Sequence, residues 1–269
     1  MRRFLKALGR GGAPAWPDHL TVRSGATAIP FDTSSAIAKS WFFPRYEKGT
    51  PHEEHILREI VEELGESDCF YDIGSNVGFF AHAVGCIAPK CRVHAFEMDP
   101  LLIAEIRRNV ALNPENRCSI VQGAVWEDGG RLLSFDPVQP GNSSTNRVST
   151  QARQAKLLCV SVRLDDYMDW SGEPPSVVKC DVEGAEVMVL RGAPGVLESV
   201  RLLMLELHPK AIASVGGSLS ELCDILGNHR FSVEVITGHR NAAPSRSPVS
   251  LEEIAQMNAN AMLVCRKVR

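Results

Sequence analysis

Cys69-Phe70-Tyr71-Asp72-Ile73-Gly74-Ser75-Asn76-Val77-Gly78-Phe79-Phe80 decides how this chain is read. Cys69 to Ile73 is short, apolar and aromatic, which suits an interior strand. Gly74 permits a backbone conformation that a Cβ hinders. Ser75 or Asn76 is expected to cap the helix that follows. Val77, Phe80, Ala81 and Val84 recur at i, i+3, i+4 and i+7, one apolar helical face. A strand, a glycine turn and a helix N-terminus in that order form a nucleotide-type binding site.

The turn is not a dinucleotide fingerprint, which needs glycine at three set positions. Counted from Gly74, the second falls on Asn76 and the third on Phe79. Asp72 adds a carboxylate that would oppose a pyrophosphate but suits a cationic ligand. S-adenosylmethionine, with its ammonium and sulfonium, is such a ligand.

Outward from this stretch, strands and helices alternate. Arg92–Glu97 is a second strand, and Asp99-Pro100 opens the next helix as cap and first-turn proline. Leu102, Ile103, Ile106 and Val110 form its buried face. Residues 119–122, 176–181 and 201–206 read as further strands, the last almost wholly apolar and so buried on both faces. The spacing predicts helices over 51–64, 164–170, 184–191 and 219–226, with Gly65 ending the first and Gly192 capping the third. Residues 131–135 form a short edge strand and 159–162 another. Residues 137–150, rich in proline, glycine, serine and asparagine, form a loop, expected to order over an acceptor. Residues 231–236 and 261–265 are strands without a clear crossover helix, hence a final antiparallel pair, with a long polar excursion over 238–257. The expected fold is α/β and Rossmann-like, a mostly parallel sheet flanked by helices. Two regions are expected: an N-terminal extension over 1–49, with the aromatic run Trp41-Phe42-Phe43-Pro44 packing on the core, and a main domain over 50–269.

The composition is that of an ordinary globular protein: 269 residues, 44% hydrophobic and 23% charged. A formal net charge of -3 gives no general attraction to nucleic acid or anionic membrane. No apolar run reaches membrane-spanning length. The 8 cysteines are scattered, without a CxxC pair or zinc spacing. Buried free thiols imply a reducing compartment, and a cytoplasmic location is expected. The basic N-terminus (Arg2, Arg3, Lys6, Arg10) is too short in its apolar part for a signal peptide.

Ligands of an open parallel sheet bind beyond the C-terminal ends of its strands. Asp72, Glu97, Asp181 and Glu206 end four of the five core strands, an acidic rim. Glu97 lies about twenty residues past the glycine turn, where an acid accepts hydrogen bonds from ribose hydroxyls. Gly123-Ala124 is small enough for an adenine ring to approach, with Trp126 either covering the ring or packing. Lys179, inside an apolar strand, needs a partner, Asp181 or Glu206. Glu186 is read as compensating a helix dipole. Glu206 and His208 are two apart on an extended chain and point to the same side. His208 is the candidate general base, with Glu206 orienting it. Asp181, Glu206 and His208 also read as a divalent-metal site, a less favoured alternative because no spacing demands a metal.

The stretch 70–78, Glu97, and above all Val178-Lys179-Cys180-Asp181-Val182-Glu183-Gly184-Ala185-Glu186 with Leu190-Arg191-Gly192-Ala193 resemble the FkbM-type methyltransferase family. Leu205-Glu206-Leu207-His208-Pro209 and Arg163-Leu164-Asp165-Asp166-Tyr167 match its pattern as well. The resemblance spans about 46–266. It implies a class I methyltransferase fold, S-adenosylmethionine as methyl donor, and methylation of a hydroxyl on a sugar or natural product. The cofactor is then expected on Asp72, Gly74, Asn76, Gly78, Glu97, Gly123 and Ala124. The acceptor, a small molecule or glycan, is expected on Asp181, Glu206 and His208, with Asn142-Ser143-Ser144-Thr145-Asn146 offering hydrogen bonds. A nucleic-acid methyltransferase is disfavoured, since the Asn/Asp-Pro-Pro-aromatic motif common in base-amine enzymes is replaced by Asp181-Val182-Glu183-Gly184. A cofactor-binding protein without turnover is the other alternative.

Overall fold

The computed structural model describes residues 16–49, 53–138, 148–149, 157–238 and 244–268. The basic N-terminus and the 142–146 run lie outside the described residues, as does most of the expected 137–150 loop. The strands in chain order are β1 (His19–Ser24), β2 (Thr27–Asp32), β3 (Cys69–Ile73), β4 (Arg92–Glu97), β5 (Cys118–Gln122), β6 (Ala124–Val125) and β7 (Leu132–Phe135). They continue with β8 (Val148–Ser149), β9 (Leu157–Val162), β10 (Val177–Cys180), β11 (Leu202–Leu207), β12 (Phe231–Thr237), β13 (Ser245–Pro248) and β14 (Ala261–Lys267).

Eight of these form one sheet in the order β13-β12-β14-β11-β10-β3-β4-β5. The run from β11 to β5 is parallel. β14 joins β11 antiparallel, and β12 and β13 extend the antiparallel edge. The chain therefore has the expected Rossmann-like architecture, with the antiparallel C-terminal pair that the two late strands predict. The described part of the polar excursion between them holds β13 and the helix Leu251–Ile254, opened by a capping box from Ser250 and Glu253.

Both sheet faces are covered, and the strand residues alternate between two cores. In β3, Tyr71 and Ile73 face one cluster and Phe70 the other. In β11, Leu203, Leu205 and Leu207 face the first and Leu202 and Met204 the second. Helices Leu164–Ser171, Glu186–Arg191, Pro194–Ser199 and Leu219–Asn228 supply Leu164, Val187, Val196 and Leu222 to the first core. Helices Glu54–Glu63, Phe79–Ile87 and Pro100–Ala111 supply Ile60, Val84 and Ile106 to the second.

The helix after the opening strand starts later than its caps predict. It runs Phe79–Ile87 with Gly78 as N-cap in the left-handed region, and neither Ser75 nor Asn76 caps it. The Ser75 hydroxyl instead donates back to the Asp72 carbonyl, 2.7 Å away. By contrast, Asp99 does cap Pro100–Ala111, accepting from the Leu101 N–H at 2.9 Å. The helix at 54–63 ends before Gly65, with Leu64 as an extended C-cap.

Residues 16–49 contain more order than their sequence suggests. β1 and β2 form an antiparallel hairpin, and Val22, Ile29, Phe31, Phe42 and Tyr46 join the second core. Phe31 stacks on Phe79, and Tyr46 also stacks on Phe79 at 4.7 Å between centroids. The middle of the chain also builds a separate small sheet, β6-β9-β7-β8, in which the expected strands at 131–135 and 159–162 pair with each other as β7 and β9.

Candidate active site

The C-terminal ends of the parallel strands open onto a cavity of about 470 Å³, within the range of small-molecule sites. Its wall begins at the glycine turn. Gly74 adopts φ +76°, and a Cβ there would lie 1.9 Å from the Asp181 carbonyl oxygen. The ends of β3 and β10 thus approach more closely than any side chain allows. The Gly74 and Ser75 N–H groups both donate to the Phe96 carbonyl at 3.0 Å. Asn76, also left-handed at φ 53°, donates its N–H to Glu97 Oε2 at 2.9 Å.

Glu97 lines the cavity and is 6% exposed. Its Oε1 accepts from the Met98 and Asp99 N–H groups at 2.8 and 3.0 Å. Burial pushes its carboxyl up to about 7, against the pull of these backbone donors. Gly123 and Ala124 line the next stretch of wall. A Cβ on Gly123 would meet the Val160 carbonyl oxygen at 2.8 Å, so β9 also demands glycine there. Trp126 is buried and absent from the wall, so it packs rather than covers.

Across the cavity stand Asp181, Glu183, Glu206 and Lys179. The Lys179 ammonium sits 3.7 Å from Asp181 and 3.8 Å from Asp72, and 5.0 Å above the Phe80 ring. Burial works against its charge, but Asp181 and Asp72 outweigh it and raise the ammonium's pKa. Burial, reinforced by Glu206, pushes Asp181 up to about 8. Trp41, Arg45 and Glu53 close the wall from the N-terminal side, the Arg45 guanidinium lying 4.2 Å over the Trp41 ring. The aromatic run thus divides: Trp41 lines the cavity, whereas Phe42 is core.

Three expected site residues do not line the cavity. Asp72 is fully buried behind the turn, accepting from the Ala81 N–H at 3.1 Å and facing Lys179. It holds the helix and the lysine rather than meeting a ligand directly. Gly78 is kept small by packing, since a Cβ would meet Ile106 at 3.1 Å. His208, 2% exposed, sits behind the wall.

The partner of His208 also differs. Its Nδ1 is 2.7 Å from Glu186 Oε1, which also accepts from the Gly184 N–H at 2.9 Å. Nε2 lies 3.3 Å from Glu183 and 3.8 Å from Glu206. Burial alone would lower the imidazole's pKa; Glu186, Glu183 and Asp181 push it up to about 9. Glu186, fully buried, orients this histidine instead of compensating a helix dipole from the surface. The signals for these roles were present but ambiguous: a lysine inside an apolar strand, and a glutamate on a helix face that turns wholly inward.

Residues 72–233 match the methyltransferase FkbM domain. The hexuronic acid methyltransferase AglP of Haloferax volcanii is 30% identical over 191 residues, covering 70% of this chain and 74% of that protein. The 31-O-demethyl-FK506 methyltransferase FkbM of Streptomyces tacrolimicus is 28% identical over 207 residues, covering 66% and 77%. Among solved structures, precorrin-6y C5,15-methyltransferase from Geobacter metallireducens superposes with a TM-score of 0.44 at 11% identity, covering 80% of this chain and 89% of that one. The family match makes this an S-adenosylmethionine-dependent methyltransferase. The chain belongs to the FkbM methyltransferase family. No helix among the described residues is long and apolar enough to cross a membrane, and all eight cysteines are free.

Proposed function

We propose that this enzyme methylates a hydroxyl group of a sugar or hydroxylated natural product. The observation that carries the reading is one cavity lined at one end by Gly74, Asn76 and Glu97 and at the other by Lys179, Asp181 and Glu206. The first end fits S-adenosylmethionine: a sharp turn that approaches without side chains, and a buried carboxylate for ribose hydroxyls. Gly123 and Ala124 leave a flat patch for the adenine. S-adenosylmethionine supplies, when bound, a methyl group already activated on a cationic sulfur.

The chain's own task is then to orient the acceptor and take its proton. Asp181 is the base on this reading, because it reaches the cavity wall and His208 does not. Lys179 holds Asp181 from one side. His208, fixed by Glu186, is a positioning residue behind Glu206. Alignment of the acceptor contributes several kcal/mol, and the base roughly two to four orders of magnitude in rate. The substrates that two relatives are named for, a hexuronic acid and 31-O-demethyl-FK506, support an oxygen acceptor on a sugar or natural product.

The test is methyl transfer from labelled cofactor to a panel of glycosides, uronic acids and polyhydroxylated natural products. Magnetic resonance of the product would locate the new methyl. Methylation on oxygen supports the reading. Methylation of RNA or DNA instead would move the protein to the nucleic-acid class. Tight cofactor binding with no transfer to any acceptor class would favour a binding protein.

A further inference from the structure

The oxygens and the nitrogen behind the acidic wall form a coordination set. One ligand atom from each of Asp181, Glu206 and His208 lies within 4.8 Å of the others. A cation whose ligands stand about 2.0–2.6 Å away holds neighbouring ligand atoms roughly 3–4 Å apart, so small side-chain shifts from this spacing would close the set around an ion. Clusters of acids are common, and spacing alone would carry nothing. Two further observations point to a ligand. Asp181 Oδ1 and His208 Nε2 are buried without a hydrogen-bond partner, although Asp181 Oδ2 faces Lys179. Buried polar atoms of native proteins are almost always satisfied.

The orientation of the imidazole is the second point. Glu186 Oε1 already accepts the Gly184 N–H, so it acts as an acceptor and Nδ1 must donate to it. That leaves Nε2 facing Glu183, Glu206 and Asp181. A protonated imidazole brings its Nε2–H to 3.3 Å from Glu183 without completing a hydrogen bond, whereas a cation in that place would take the Nε2 lone pair and the carboxylate oxygens together. Metal-binding histidines are also usually held in place by a carboxylate on their far nitrogen. Charge points the same way: Asp72, Asp181, Glu183, Glu186 and Glu206 cluster around Lys179 and His208. Buried charges of one sign need compensation.

We propose that Asp181, Glu206 and His208 Nε2 bind a divalent first-row transition cation, with Glu186 as the positioning residue for the histidine. Two carboxylates and an imidazole form an oxygen–nitrogen set that suits Mn²⁺ or its neighbours better than Mg²⁺ or Ca²⁺, which prefer oxygen alone. The site shares Asp181 and Glu206 with the acceptor reading above. Its test reads metal binding in the cofactor-free protein, so a failure of methyl transfer leaves it standing. A failure to bind metal leaves transfer assisted by the carboxylates alone.

The experiment is titration of metal-stripped protein with Mn²⁺, followed by loss of the free ion's paramagnetic resonance signal and by calorimetry. One ion per chain is expected. Asp181→Asn and Glu206→Gln should each weaken it at least tenfold, and Glu186→Gln by about 10- to 100-fold. Circular dichroism would qualify each variant as folded; Asp181→Asn, at the partly exposed wall, decides the case if the buried variants unfold. No saturable uptake at roughly millimolar Mn²⁺ overturns the proposal. So does equal affinity in the wild type and Asp181→Asn.

Discussion

The two ends of the cavity satisfy their polar groups in opposite ways. At the β3–β4 end, Glu97 has both oxygens on backbone N–H groups of the turn and of the next helix. At the β10–β11 end, Asp181 Oδ1, Glu186 Oε2 and His208 Nε2 are buried without hydrogen-bond partners. The first end is a finished wall that a ligand leans against. The second is an unfinished one that a ligand completes. Cofactor binding should therefore depend on backbone geometry and, among side chains, chiefly on Glu97, whereas chemistry should depend on several individual side chains. Four expected outcomes would break or sharpen that contrast.

The largest effect is expected at Asp181. Asp181→Asn keeps the shape of the wall and removes the proton acceptor. Turnover should fall by roughly two to four orders of magnitude, with cofactor affinity changed less than about threefold. Single-turnover kinetics and calorimetric titration measure the two separately. A parallel loss of both would mean that the two ends act as one site.

Next comes His208, whose effect should be on stability as much as on rate. His208→Ala strands the Glu186 carboxylate, fully buried, without its imidazole. Breaking such a buried pair costs about 3–5 kcal/mol, read as a lower denaturation midpoint with unchanged m. A double variant with Glu186→Gln should recover part of that loss, because the uncompensated charge is gone. If the double variant is no more stable than His208→Ala, the pair is not the source of the cost.

How far the contrast was legible in the sequence follows from the same physics. The sheet was legible because β3, β10 and β11 are buried on both faces and so read as apolar runs, interrupted only by Asp72, Lys179 and Glu206. The acids at the strand ends were legible because strand termini fix position along the sheet. What chain order alone does not give is depth. Asp72 and Glu97 both belong to strand ends, yet Glu97 lines the cavity and Asp72 faces Lys179 behind it. His208 looked like the base because its solution pKa is near neutral, but it lies behind the wall with Glu186, twenty-two residues away in sequence. The β1–β2 hairpin escaped notice because its strands mix threonine, arginine and proline with few core residues. The small sheet escaped because β6 and β8 are two residues each.

A smaller effect is expected at Glu97, where the finished wall can be titrated. Burial raises its carboxyl to about 7, so the empty protein takes up a proton there as pH falls below that value. A ribose hydroxyl donates to the ionised form. Cofactor affinity should therefore be full above about pH 7 and decline as pH falls towards the ordinary carboxylate range near 4.5. Glu97→Gln should lose roughly tenfold in affinity, about 1.4 kcal/mol, and its affinity should no longer vary across that window. A pH dependence that survives the substitution would place the titrating group elsewhere.

The smallest effect is expected at the N-terminal side of the wall, where Trp41 tests which end that segment serves. Its ring lines the cavity beneath the Arg45 guanidinium, and Arg45 also donates to the Trp41 carbonyl at 2.8 Å. The two side chains hold each other, so each fixes the other's place on the wall. An exposed cation–ring contact contributes about 0.5–1 kcal/mol. Trp41→Ala removes that contact and a flat apolar surface on which a sugar ring can stack. Neither Gly74, Asn76 nor Glu97 depends on Trp41 for a hydrogen bond, so the cofactor end should be undisturbed. The expected outcome is a rise of roughly two- to fivefold in KM for the acceptor, with kcat and cofactor Kd near normal. Steady-state kinetics at saturating cofactor would measure it. A change in cofactor affinity with no change in acceptor KM would assign Trp41 and Arg45 to the finished end and leave acceptor choice to residues of the acidic one.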